Sequence, residues 1–118
     1  MRSALLILAL IPYTAFAQDY YGAIAYSASS GAHGWSFNHP SRAAAEKVAL
    51  TNCRKHAADC KTQVWFMNAC GTLATGDGGF GTAWGNPQKA ADTEALKLCA
   101  KHAKRCTIVR RVCSDGKG

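Results

Sequence analysis

Two stretches of this chain are copies of one another. AAEKVALTNCRKHAADC, from Ala44 to Cys60, returns forty-six positions later as AADTEALKLCAKHAKRC, from Ala90 to Cys106. Ala49, Leu50, Cys53, His56 and Cys60 recur as Ala95, Leu96, Cys99, His102 and Cys106. A repeat that carries its cysteines with it is one supersecondary unit used twice. It constrains architecture strongly and activity hardly at all.

The copies extend beyond these helical stretches. Tyr20–Ser27 alternates bulky and small residues and reads as a strand, and Cys70–Thr75 resembles Tyr21–Tyr26. Trp35-Ser36-Phe37 reads as a second strand, with Gly31 and Gly34 framing the hairpin. Pro40-Ser41 opens a helix over about Arg42–Ala57, whose stripe is Ala49, Leu50, Cys53 and Ala57. Thr62–Met67 is the third strand. The second unit repeats the order: a glycine turn at Gly76–Gly79, a strand over Phe80–Trp84, a helix opened by Asn86-Pro87, and a strand over Thr107–Cys113. Ser114–Gly118 is expected to be a loose tail. The class is therefore α+β: two ββαβ repeats, about 20–69 and 70–114, in one mainly antiparallel sheet with both helices on one face.

Of the 118 residues, Met1–Ala17 has the grammar of a secretory signal: Arg2, an apolar run from Ala4 to Ile11, then Ala15-Phe16-Ala17. The apolar run is too short for a membrane span. The expected product is one monomeric domain from Gln18 onward, secreted to the periplasm or beyond. All six cysteines lie in it, and an even count in a small exported domain implies disulfides. Zinc sites space paired cysteines two to four residues apart, whereas these are seven apart, so no metal or cofactor is expected. Six cysteines allow fifteen pairings. The symmetric one joins Cys53–Cys60 and Cys99–Cys106 and leaves Cys70–Cys113, with Tyr21 and Met67 as the apolar counterpart of that last pair. Loop entropy assigns about 2.5 kcal/mol to each short bridge and about 4 kcal/mol to the long one.

Charge is distributed unevenly. Residues 18–94 hold six basic and six acidic side chains, whereas residues 95–118 hold seven basic ones against Asp115 alone. Such a patch attracts acidic partners, here an unknown protein or an anionic envelope or host surface. The basic stretch contains no aromatic residue, so sequence-specific nucleic-acid recognition is not expected.

No catalytic residue is assigned. A nucleophilic cysteine needs a free thiol, and disulfides consume all six. The Cys-His neighbours at Cys53/His56 and Cys99/His102 recur with the scaffold and read as helix-end cations. His33, Trp35 and His39 lie in a loop and strand whose histidines have no counterpart in the second copy, which makes them candidate binding residues together with Arg110 and Arg111. Glu46 and Asp92 occupy matching places near the starts of the helices; paired with a histidine, either would suit an envelope hydrolase.

YGAIAYS, the Gly34-Trp35 turn, the two alanine-rich helices ending in cysteine, VWFMNACGTLA and the closing VCS together resemble the domain of unknown function 4189 family over Tyr21–Ser114. The resemblance implies a small exported bacterial protein; some members are mycobacterial, with a suggested secreted role acting on the host. It supplies no catalytic residues. The reading is a secreted disulfide-rich binding protein of the effector, inhibitor or immunity type, with the hydrolase as alternative.

Overall fold

The computed structural model describes residues 17–117. Their order is β1 (Tyr21–Tyr26), β2 (His33–His39), α1 (Arg42–Arg54), β3 (Lys61–Met67), β4 (Cys70–Asp77), β5 (Gly79–Gly85), α2 (Gln88–Ala100) and β6 (Lys104–Cys113). The proposed signal sequence lies almost wholly outside the described residues. Each repeat is ββαβ, in the class expected.

The single sheet expected from the sequence is instead two antiparallel three-stranded sheets, ordered β2-β1-β3 and β5-β4-β6. The reason lies in the central strands. In β1, Ala23 and Ala25 face α1, where they pack on Ala45, Ala49 and Cys53. Ile24 and Tyr26 point the other way and meet Phe66 and Leu73. Successive strand residues alternate faces, so β1 is apolar on both, small towards the helix and large towards the other sheet. On β4, Ala74 meets Ala95 and Cys99 of α2, while Leu73 joins the inter-sheet cluster. The result is four layers, helix–sheet–sheet–helix, and the helices lie on opposite outer faces.

Phe66 is the centre of that arrangement. It is 1% exposed, and a methyl group on Gly22 or on Gly71 would overlap its ring. A glycine in each central strand thus admits one aromatic ring between the sheets. Gly34 and Gly81 serve the outer layers in the same way. A Cβ on Gly34 would strike the backbone of Ala49 and Cys53, and one on Gly81 that of Ala95 and Cys99. Gly34 therefore seats a helix and does not frame the hairpin.

The helices end about one turn earlier than the apolar stripe implies, at Arg54 and Ala100, because the chain must turn back to close each short disulfide. Ser41 caps α1 by accepting from the Ala44 N–H at 3.1 Å. Asn86 does not cap α2: Pro87 holds that position after a cis bond and makes no side-chain cap. Sulfur bonds join Cys53 to Cys60, Cys70 to Cys113 and Cys99 to Cys106. Tyr21 and Met67 stand opposite each other in the first sheet, as Cys70 and Cys113 do in the second.

The tail is held, not loose. Ser114 is fully buried. Its hydroxyl accepts from the Asn38 N–H at 2.7 Å, and Asn38 exchanges bonds with Gly116 and Lys117. Asn38 has φ 58°, a left-handed geometry that asparagine tolerates better than most residues.

At the opposite end of the sandwich, Ser27 and Ser29 each donate to Asp59 at 2.5 Å, tying the β1–β2 turn to the approach to β3. In the second repeat Asp77 and Arg105 form the equivalent pin as an ion pair. The Ser27 hydroxyl, then that of Ser29, holds the Asp59 carboxyl below the usual carboxylate range.

Phe66→Ala should lower stability by about 3–5 kcal/mol, whereas exposed Phe37→Ala should cost under about 1 kcal/mol, both read from urea unfolding. A depressed folded-state pKa contributes stability above the unfolded value and loses it as pH falls through the folded one. The stability gap between the wild type and Asp59→Ala should therefore be full at about pH 6 and close progressively below about pH 4.

Candidate functional site

The candidate residues fall at three places. β2 and β6 border the same edge of the sandwich, and there the Arg110 guanidinium lies 3.6 Å over the Trp35 ring. His33 sits 6.0 Å from the same ring. The close cation–indole contact holds the guanidinium in the fixed orientation that favours recognition of a planar anion. Arg110 Nε is buried and has no hydrogen-bond partner among the described residues. His33, Trp35 and Arg110 thus form one patch.

His39 and Arg111 are elsewhere. His33 pairs with Tyr26 at one end of β1 and His39 with Tyr21 at the other. Six residues of strand separate them by about 20 Å, too far to share a ligand ion. Among the described residues no group of three His, Cys, Asp or Glu side chains could hold a metal. Arg111 points to the α2 side of its sheet, where its guanidinium meets Asp92 at 2.8 Å.

Asp92 is the centre of a polar knot. It accepts from Thr72 Oγ1 at 2.6 Å and from Gln88 Nε2 at 2.9 Å, besides its ion pair with Arg111. Gln88 Nε2 also donates to Thr72 Oγ1 at 2.8 Å. Glu46 pairs with Arg42 one turn away on α1 at 3.0 Å. Both carboxylates are the fifth residues of their helices, just beyond the first turn. Among the described residues neither is hydrogen-bonded to a histidine.

A further surface was not singled out from the sequence. At the edge bordered by β3 and β5, Val64–Met67 and Trp84 line a groove of about 380 Å³. Trp65, Met67 and Trp84 are 37%, 42% and 61% exposed. Arg42 stacks 4.5 Å over Trp65, and Tyr21 lies beside it. The signal for it was present: Trp65 and Phe66 are consecutive in a strand, so their rings must take opposite faces, and Phe66 took the core.

With this geometry in hand, comparison with known proteins is informative. The family model described as "Domain of unknown function (DUF4189)" matches residues 21–113, which span every strand and both helices. The chain belongs to this family. Protein Rv1269c of Mycobacterium tuberculosis and Protein Mb1300c of Mycobacterium bovis are each 42% identical to it over 80 residues, 68% of this chain. The chain spans 61% of the length of those curated relatives. The NMR structure of Rv1813c from M. tuberculosis superimposes with a TM-score of 0.60 at 28% identity, covering 88% of this chain and 81% of that one. These matches establish fold and family and name no substrate.

Asp92→Ala should cost about 2 kcal/mol in urea unfolding, because it removes the acceptor shared by Thr72, Gln88 and Arg111, although Thr72 and Gln88 keep their bond to each other. Glu46→Ala, which breaks an exposed pair within one helix, should cost about 0.5 kcal/mol.

Proposed function

We propose that this protein is exported, with cleavage near Ala17, and acts as a binding protein that presents a rigid, disulfide-held surface to an acidic partner. The observation that carries the reading is the convergence of His33, Trp35 and Arg110 on one edge, with the Arg110 guanidinium stacked over the Trp35 ring. The partner is an acidic protein face or an anionic envelope or host surface. Arg111 and His39 contribute to the surrounding field more than to direct contact, since Arg111 is engaged by Asp92 and His39 lies at the far end of β2.

Three features support a surface mechanism. All six sulfurs are bonded in pairs, so no thiol serves as a nucleophile. Glu46 and Asp92 are committed to arginines, so no observation favours the hydrolase alternative. The basic excess of residues 95–118 lies on α2, β6 and the tail, with β6 bordering the proposed patch.

The test is salt elution of residues 18–118 from heparin and from anionic liposomes. Arg110→Ala should elute at clearly lower salt than the wild type, while Lys47→Ala, on the outer face of α1, should elute with it. Identical elution of Arg110→Ala and the wild type would remove the patch from the account.

A further inference from the structure

The first residues of the sandwich are held by Asn68. The Tyr20 N–H donates to Asn68 Oδ1 at 2.9 Å, and the Tyr20 carbonyl accepts from the Asn68 N–H at 2.8 Å. Asn68 Nδ2 also donates to Asp19 Oδ1 at 3.0 Å. The Tyr20 ring lies where a methyl group on Gly116 would be, so the two ends of the domain meet there. Asn68 makes this clamp with φ 52°, in the left-handed region that asparagine tolerates.

One residue further out the restraint stops. Gln18 is exposed, lies outside every strand and helix, and among the described residues takes part in no hydrogen bond. Cleavage of a leader after Ala15-Phe16-Ala17 would make this same residue the first of the mature chain. Its new α-amine and its side-chain carboxamide then belong to one residue, and no contact of the fold keeps them apart.

Those two groups are matched for reaction. An α-amine has an ordinary pKa of about 8, so a usable fraction is neutral and nucleophilic near neutral pH. Attack of the amine nitrogen on Cδ closes an unstrained five-membered lactam, and holding both groups on one residue supplies the proximity that a plain amide needs. As the N–Cδ bond forms, the Cδ–Nε2 bond breaks. Nε2 takes the proton given up by the amine and leaves as ammonia. The step involves no oxidant, reductant or second substrate.

We propose that the exported protein carries a pyroglutamate lactam at Gln18. This inference rests on the cleavage proposed above. The lactam removes the terminal positive charge and denies an aminopeptidase the free amine it must grip. Protection matters at this end, because trimming beyond Gln18 removes the residues that Asn68 holds. His33 pairs at the other end of β1 from Tyr21, so the ring stays clear of the binding patch.

The experiment expresses the full precursor in an exporting bacterial host and purifies the exported fraction with its disulfides intact. Intact mass and N-terminal sequence are read at harvest and again after warm storage. The stored wild type should weigh residues 18–118 with three disulfides, less about 17 Da for one ammonia. It should yield no N-terminal sequence until a pyroglutamyl aminopeptidase opens it. Gln18→Asn, whose shorter side chain would have to close a strained four-membered ring, should keep its full mass and an open end. An open Gln18 after storage would overturn the inference and leave export standing, and so would an ammonia loss that persists in Gln18→Asn. A precursor mass, or a different first residue, would overturn the inference and the proposed cleavage together.

Discussion

One phenyl ring sets the spacing of this molecule. Phe66 reaches from the edge strand of the first sheet across Gly22 and onto Gly71 of the second. Because both central strands are bare at those points, the ring fills space that two side chains would otherwise occupy. The flanking inter-sheet residues Ile24, Tyr26 and Leu73 then close around it. Burial of this kind is the main favourable term in so small a domain, and the three disulfides supplement it by restricting the unfolded chain. Without the inter-sheet contact each repeat would be a helix on a three-stranded sheet with one large apolar face in water.

Duplication explains both the economy of the fold and its asymmetries. The two helices are seated by equivalent glycines and closed by equivalent disulfides. The scaffold is therefore shared, and the differences carry the individual character. The cystine between Cys70 and Cys113 replaces the Tyr21–Met67 pairing. An ion pair between Asp77 and Arg105 replaces the Ser27–Asp59 bonds. At the place on the other edge equivalent to the Arg110–Trp35 stack, Thr82 Oγ1 donates instead to the Gln63 carbonyl at 3.5 Å. Such unequal positions are where a duplicated domain can acquire specific contacts without disturbing its core.

The candidate site was partly legible in advance. His33, Trp35 and His39 were marked because the two histidines have no counterpart in the second repeat, and Arg110 because it belongs to the basic end. That Arg110 and Trp35 touch required knowing that β2 and β6 border one edge, a relation between strands seventy residues apart. Arg111 looked equivalent to Arg110 in sequence, but adjacent strand residues point to opposite faces, and only the sheet's orientation shows that Arg111 meets Asp92. The groove at Trp65, Met67 and Trp84 escaped notice because its walls come from two different sheets.

The sequence alone determined the local structure: the repeat, the strand and helix order, the inward alanines, and a cysteine pattern whose symmetric pairing is the one the structure holds. Those features depend on periodicity and on neighbours close along the chain. Only the tertiary structure decided that the strands divide into two sheets with the helices outside, that the tail folds back onto Asn38, and which charged side chains are engaged. Each of those outcomes depends on side-chain volume matched across a distance, as Phe66 is matched to two glycines nearly fifty residues apart, and no local pattern encodes such a match.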